Sequence, residues 1–312
     1  MKEFELINKF LAKRAGKRKD VICGIGDDSA LLRFPPNYDV AVSTDSFVFG
    51  IHFPKNTSPY DIGYKSLAIN LSDLAAMGAE PAWATLAITL PEANESWIKQ
   101  FCDGFFSLLK QYNMQLIGGD TTRGPVLSIT ANVFGFIPKN KALYRSGAKT
   151  GDLVYVTGTL GDAGAALKLP DKHFLKKLNH PIPRIKEGLA LRNIATAAID
   201  ISDGLAADLG HILEQSKIGA TIYIDNLPLS TKLVKVMGKK MAQKLALSAG
   251  DDYELCFTVS PKNRPRLKAI ANKFSITYVG NIEQHTGLRI QDQRGNPFAL
   301  KQTGYEHSWN QI

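Results

Sequence analysis

One polar stretch divides the chain into halves of similar pattern. "PKNKALYRSGAKTGD", starting at Pro138, is Lys-rich and marked by glycines, a composition that reads as a linker. Strand-like and helix-like segments alternate before it, and the alternation starts again after it. Such recurrence in 312 residues restricts the chain to two α/β units of comparable size. The expected domains are 1–138 and 150–312.

In the first half, Phe4, Ile7, Phe10 and Leu11 have helical spacing between Glu3 and Ala15. "YDVAVSTDSFVFGIHF" alternates like a strand, expected to end near Asp45 and continue as a second extended piece. Ser58 is an N-cap before Pro59, and the helix they open runs to about Met77, where Gly78 stops it. "PAWATLAITL" is a strand and "NESWIKQFCDGFFSLLKQYN" an amphipathic helix. "MQLIGGDT" is a short strand ending in a turn, and "VLSITANVFGFI" is a long strand. The alternation is βαβ-like, with some antiparallel content. In the second half "LVYVTGTL", "AAIDIS", "GATIYIDNL", "YELCFTVS" and "SITYVGNI" read as strands. "GDAGAALKL" turns into a helix, and "IPRIKEGLALRNIATA", "DGLAADLGHILEQSK" and "STKLVKVMGKKMAQKLAL" each read as one helix.

Hydrophobic residues make up 44% and charged residues 21% of the chain, which fits a water-soluble globular protein. No apolar run approaches the ~20 residues of a membrane span, so no membrane partner is expected. The N-terminus alternates charged and apolar residues and has no secretory h-region. Cys23, Cys102 and Cys256 lack metal-ligand spacing and read as reduced thiols of a cytoplasmic protein. The net charge of +9 raises a nucleic-acid reading. Its densest run, "KRAGKRK" from Lys13 to Lys19, has no nucleic-acid motif beside it. It reads as a solvated helix end, and no nucleic-acid partner is expected. A basic surface also suits anionic small substrates.

Against that positive charge, aspartates recur at strand ends and in glycine-marked turns. They are Asp27 and Asp28 in "GIGDD", Asp45 in "STD", Asp120 in "GGDTT", Asp200 and Asp203 in "DISDGL", and Asp251 and Asp252 in "AGDDYEL". Asp73 falls instead on a helix, among the apolar residues Leu71, Leu74 and Ala75, where a charge needs a partner. Each turn aspartate alone has a structural reading as a turn former or helix cap; Asp203 and Asp162 are candidate caps. As a set, with few histidines and no cysteine group, they form an oxygen-only donor pool that selects magnesium or calcium. Hydroxyls at Ser43, Thr44 and Ser202 extend it, and a cation would relieve the repulsion of paired carboxylates. This is a nucleotide phosphotransferase type of site. No P-loop and no protein-kinase motif pair is present. "GTLGDAG", Gly158 to Gly164, is a weak candidate for a backbone phosphate cradle.

In order along the chain, "GIGDDSALL", "STDSFVFGIHF", "NLSDLAAMGAEP", "GGDTTRG", "YRSGAKTGD", "AIDISDGL", "AGDDYEL" and "GYEH" closely resemble the thiamine-monophosphate kinase family. The resemblance spans nearly the whole chain; "GIHF" and "NLSDLAAMGA" are its more specific parts. The other acidic motifs are shared with the wider aminoimidazole-ribonucleotide synthetase-like superfamily. The resemblance implies a two-domain α/β (α+β) protein whose N-terminal sheet completes a β-barrel across a homodimer. It implies magnesium-dependent transfer of the ATP γ-phosphoryl group to thiamine monophosphate, giving thiamine diphosphate and ADP, with several Mg2+ ions. Carried over by position, the metal ligands are Asp28, Ser43, Thr44, Asp45, Asp73, Asp120, Asp200 and Asp203. ATP is contacted by Gly119, Asp120, Arg145 and Ser202, and thiamine monophosphate by His52, Asp251 and Trp309. Asp73, Asp120 and Arg145 are the catalytic set. Two departures stand out: Ser308 separates the "GYEH" histidine from Trp309, which leaves Tyr305 as the alternative aromatic contact, and Asp251 is one methylene shorter than the expected glutamate. Rival readings are a purine-pathway or selenophosphate-type synthetase of the same superfamily, and a nucleic-acid-binding protein using the basic surface.

Overall fold

The structure is a computed structural model that describes residues 2–306. They group into two compact units: 2–74 with 79–140, and 75–78 with 141–306.

The first unit contains α1 (Glu3–Leu6), β1 (Val21–Cys23), β2 (Leu31–Leu32), β3 (Tyr38–Val48), α2 (Pro59–Ala76), β4 (Glu80–Leu90), α3 (Glu95–Gln111), β5 (Gln115–Arg123) and β6 (Ser128–Pro138). α2 is entered as its sequence indicates, with the Ser58 hydroxyl accepting the Asp61 amide at 3.2 Å. Its last two residues count with the second unit. Four strands form a sheet in the order β3-β6-β4-β5. β4 and β5 are parallel, joined through α3 as a βαβ unit, and the other two pairings are antiparallel. Leu86, Ile88, Ile129, Ala131 and Val133 alternate on the buried face. α2 and α3 cross in backbone contact at two glycines. A Cβ on Gly63 would lie 2.0 Å from the Phe101 carbonyl oxygen, and one on Gly104 2.0 Å from that of Tyr60. The other sheet face is covered at one end by the β1–β2 hairpin, whose Val21 and Leu32 pack on the Trp83 and Phe136 cluster. Elsewhere it is open, with Val42 59% exposed.

The second unit contains β7 (Leu153–Thr157), α4 (Asp162–Ala166), α5 (Lys172–Asn179), α6 (Ile185–Leu191), β8 (Ala195–Asp200), α7 (Leu205–Ser216), β9 (Gly219–Tyr223), α8 (Thr231–Met237), α9 (Lys239–Ser248), β10 (Leu255–Val259), α10 (Arg264–Ala271), β11 (Ile276–Glu283) and β12 (Gly287–Gln291). Its six-stranded sheet has the order β12-β9-β11-β7-β10-β8. Only the β9–β12 pairing is parallel among the pairings described. α7 packs on this sheet through Leu205, Leu209, Ile212 and Leu213.

Five local expectations are corrected. β3 passes through Asp45 to Val48, because β6 pairs with it residue for residue from Tyr38 to Val48. β5 likewise runs through "GGDTT", so Asp120 lies within a strand, opposite Ala87. The N-terminal segment has only one α-helical turn, then a wider π-type turn over Ile7–Leu11 and a tighter one over Ala12–Arg14. The helix expected over "IPRIKEGLALRNIATA" ends at Leu191, and Ala195 already belongs to β8. The helix expected from Ser230 is broken at Gly238, whose φ of +75° leaves the helical region.

Candidate active site

In the first unit, β3 and α2 build a polar seam. Helical spacing puts Asn70 and Asp73 on the side of α2 that faces β3. Ser43 donates its hydroxyl to Asp73 Oδ2 at 2.5 Å. Asn70 Oδ1 accepts the Asp45 backbone amide at 3.0 Å. The Asp45 and Asp73 carboxyls are in hydrogen-bonding contact, and burial first, then the Asp73 charge, pushes the Asp45 carboxyl up to about 6. Two carboxylates and a hydroxyl held this way form an oxygen-only set, destabilised by its own charge.

Pleating separates these groups from two other candidates. Ser43 and Asp45 point to the α2 side, so Thr44 and Ser46 lie on the opposite, open face. There the Thr44 hydroxyl donates to Asn132 Oδ1 at 2.5 Å, and Asn132 Nδ2 donates to Thr85 at 2.6 Å. Ser46 pairs with Thr130, Thr130 with Ala87, and Ala87 with Asp120, so Asp120 belongs to the open-face row. Gly119 is required by close packing: its φ is +147°, and a Cβ there would lie 1.9 Å from the Leu86 carbonyl oxygen. Asp28 is exposed, and its amide donates to Asp27 Oδ1 at 2.9 Å. The adjacent aspartates therefore form a local side-chain-to-backbone turn, with their repulsion weakened by solvent.

His52 follows β3 in a turn. Its Nδ1 accepts the Val48 amide at 3.0 Å, so in the neutral ring Nε2 carries the proton. The ring lies against Phe47, centroids 5.9 Å apart.

In the second unit two acidic turns are hooked together. The Asp251 amide donates to the Ser202 carbonyl at 2.8 Å, the Tyr253 amide to Ile201 at 2.8 Å, and the Ile201 amide to Glu254 at 2.7 Å. This joins the turn holding Asp200, Ser202 and Asp203 to the loop holding Asp251. Asp203 is not the side-chain cap of α7. Instead Asp208 reaches back, its Oδ2 accepting the Asp203 and Gly204 amides at 3.0 Å each. Burial and then the Asp203 charge push Asp208 up to about 7. The Tyr305 amide donates to the Asp203 carbonyl at 3.1 Å. Trp309 lies outside the described residues. Arg145 is exposed; next to it, the Tyr144 carbonyl accepts the Ala198 amide at 2.8 Å and ties this stretch to β8.

The "GTLGDAG" turn is not an open phosphate cradle. The Gly158 amide donates to Ser275, that of Leu160 to Pro228, and that of Gly161 to both Asp252 oxygens at 2.9 Å. Nor is Asp162 a helix cap. Its carboxylate accepts the Ser230 hydroxyl at 2.6 Å and the Thr159 hydroxyl at 3.2 Å.

Asn70, Asn132, Asp208 and Arg184 escape a reading by acidic motif, and Glu254, inside "AGDDYEL", is given no role by it. Asn70 had a signal, a polar residue three before Asp73 in an apolar run. So had Asp208, an acid in the first turn of a helix that starts from a glycine.

Among the described residues, no three His, Cys, Asp or Glu side chains converge to hold an ion. The Asp45–Asp73–Ser43 set still fits magnesium, which takes one or two protein carboxylates and completes its shell with water and phosphate oxygens. No described helix is long and apolar enough to cross a membrane.

Family models for the AIR synthase related protein match here, the N-terminal domain over residues 26–137 and the C-terminal domain over 149–293. The thiamine-monophosphate kinase of Buchnera aphidicola subsp. Acyrthosiphon pisum (strain APS) is 49% identical, over 98% of each chain. The chain belongs to the thiamine-monophosphate kinase family. The crystal structure of the family member from Stenotrophomonas maltophilia K279a matches with a TM-score of 0.87 at 44% identity, covering 96% of this chain and 98% of that one. AaThiL complexed with AMPPCP and TMP matches with a TM-score of 0.76 at 29% identity, covering 97% of each. The two-domain α/β architecture is thus that of the AIR synthase-related kinases.

Proposed function

We propose that this chain transfers the γ-phosphoryl group of ATP to thiamine monophosphate, giving thiamine diphosphate and ADP, with Mg2+ required. The 49% identity over 98% of both chains to a thiamine-monophosphate kinase carries this reading. The AMPPCP and TMP complex of a relative with the same fold supports it.

The acceptor is a phosphate monoester, largely ionised at neutral pH because its second pKa is about 6. It needs no strong general base. Bringing two polyanions together in line is the main obstacle, so positioning and charge neutralisation supply most of the rate. Transfer is direct, without a phosphoenzyme. Bound Mg2+ supplies charge neutralisation and a template for the phosphates. Asp45 and Asp73, with Ser43, are its first candidate holders. Thr44, Asp120 and Asp28 in the first unit, and Asp200 and Asp203 in the second, are candidate ligands for separate ions, because Thr44 and Asp120 face away from the Asp45–Asp73 seam. Arg145, whose planar fork suits phosphate, contacts ATP together with Gly119, Asp120 and Ser202. His52, through Nε2–H, Asp251 and Trp309 hold the acceptor. The protein works in the cytoplasm as a homodimer whose sheets complete a β-barrel. The edge position of β3 and the exposed Val42 offer the surface such pairing would cover.

The test is an assay with ATP, Mg2+ and thiamine monophosphate, with chelator and unphosphorylated thiamine as controls. Magnesium-dependent thiamine diphosphate, and none from thiamine, is expected. A folded protein that gives no product would move the reading to a sister enzyme with another acceptor.

A further inference from the structure

The loop from Gly250 to Tyr253 has an unusual backbone. φ is +73° at Gly250, +61° at Asp251 and +49° at Tyr253, a region that residues with side chains disfavour. Such a conformation persists only where its surroundings over-determine it. Here two hydrogen bonds from the loop to the 201–202 turn, with a third at the adjoining Glu254 carbonyl, do part of this, and the Asp252 carboxylate on the Gly161 amide does more. The loop ends at Glu254, where the tightest anchor lies. The Glu254 side chain is 4% exposed and is paired with Arg184. Arg184 stands just before α6 and donates Nε to Glu254 Oε2 at 2.6 Å and Nη2 to Oε1. The Thr157 hydroxyl donates to Oε2 at 2.6 Å and itself accepts the Leu255 amide at 2.8 Å. Gly158 leaves the space this requires, because a Cβ there would sit 2.0 Å from Glu254 Oε1.

We propose that Arg184 and Glu254 are positioning residues, a two-pronged latch that holds the strained 250–253 loop in the form that presents Asp251 to the phosphorylated acceptor. The proposal rests on the reading of Asp251 as an acceptor contact. Burial of an ion pair is by itself weak support for stability, since apolar residues of similar volume often serve as well. What a bidentate guanidinium–carboxylate pair adds is direction. It fixes the Glu254 side chain, and the Glu254 carbonyl in turn holds the Ile201 amide of the turn carrying Asp200, Ser202 and Asp203. One arginine therefore sets the geometry of both acidic turns.

The test uses the full chain with Arg184→Lys, which keeps the charge but loses the fork, and Glu254→Gln, which keeps the shape. Two readouts are taken: hydrogen exchange of the Asp251 and Tyr253 amides, and the acceptor KM and kcat. In folded variants, exchange at these amides accelerates about tenfold or more while the β7 amides stay protected. The acceptor KM rises roughly tenfold, kcat changes less, and Arg184→Met is worse than Arg184→Lys. Unchanged exchange at Asp251 and Tyr253 in both folded variants overturns the latch. Faster exchange with an unchanged acceptor KM overturns its role in positioning. Asp251→Asn separates the two ideas: an unchanged acceptor KM in that variant removes the reading of Asp251 and the acceptor role with it, whatever the exchange shows.

Discussion

Ser43, Asp45 and Asp73 come from segments far apart in sequence, and their meeting has a cost. Asp45 is protonated more readily in the folded chain than in the unfolded one, its carboxyl rising from 3.8 to about 6. Between those values the folded state binds more protons, so this site's contribution to stability falls as pH rises from about 4 to about 6. At pH 7 the metal-free protein keeps the charged pair at a cost of about 1–2 kcal/mol after solvent screening. Asp45→Asn is expected to raise the melting temperature at pH 7 without metal, flatten that pH slope and remove turnover. Added Mg2+ should stabilise the wild type and not the variant; calorimetry across pH 4–8 reads all of this. Asp73→Asn should lower turnover at least about 100-fold at saturating Mg2+ with the fold retained by circular dichroism. Near-normal turnover would remove the metal-holding role. These carboxylates were legible by type, as an oxygen-only donor pool of the kind that suits magnesium or calcium. Which face each occupies was not legible, since one residue of register moves a strand side chain across the sheet. Thr44 and Asp45 are neighbours in sequence and lie on opposite faces for that reason.

An end that carries local chemistry was readable: Ser58 caps α2. The structure adds Asn94, which caps α3 by accepting the Trp97 amide at 3.0 Å. Elements whose ends depend on a partner were not readable. β3 extends past Asp45 and β5 past Gly119 because β6 and β4 supply matching hydrogen bonds, which the strands' own composition does not reveal. Gly238 had a local signal, but an apolar helical pattern on both sides masked it. The α2–α3 crossing depends on pairing in the same way. Gly63 and Gly104 look like helix-weakening residues in sequence, yet each opens the space in which the other helix's backbone lies. Gly104→Ala should therefore destabilise the first unit by about 3 kcal/mol rather than stabilise it through helix propensity. Urea denaturation read at Trp83 would show it, and a variant as stable as wild type would mean that the helices can part without loss.

At the scale of the molecule, the two-unit organisation was visible in the repeat of pattern around a polar stretch, and the family in motifs spread along the whole chain. The basic charge was visible too, but the chain spends part of its densest run internally. Arg14 pairs with Asp103 at 2.9 Å, and Arg18 with Asp20 at 2.7 Å. β3 is eleven residues long at the sheet's edge, and Val42 at its middle is 59% exposed. A long edge beside an open, partly apolar face is an aggregation liability in a monomer unless another surface covers it. A second copy placed there would use the same patch on both subunits, as two-fold pairing requires. Sedimentation at micromolar concentration is expected to give a dimer for the wild type. Val42→Glu places a like charge on each side of that pairing, so it should shift the protein to monomer while leaving the Ser43–Asp73 seam on the other face untouched. A wild-type monomer, or a Val42→Glu variant that stays dimeric, would place the contact elsewhere on the molecule.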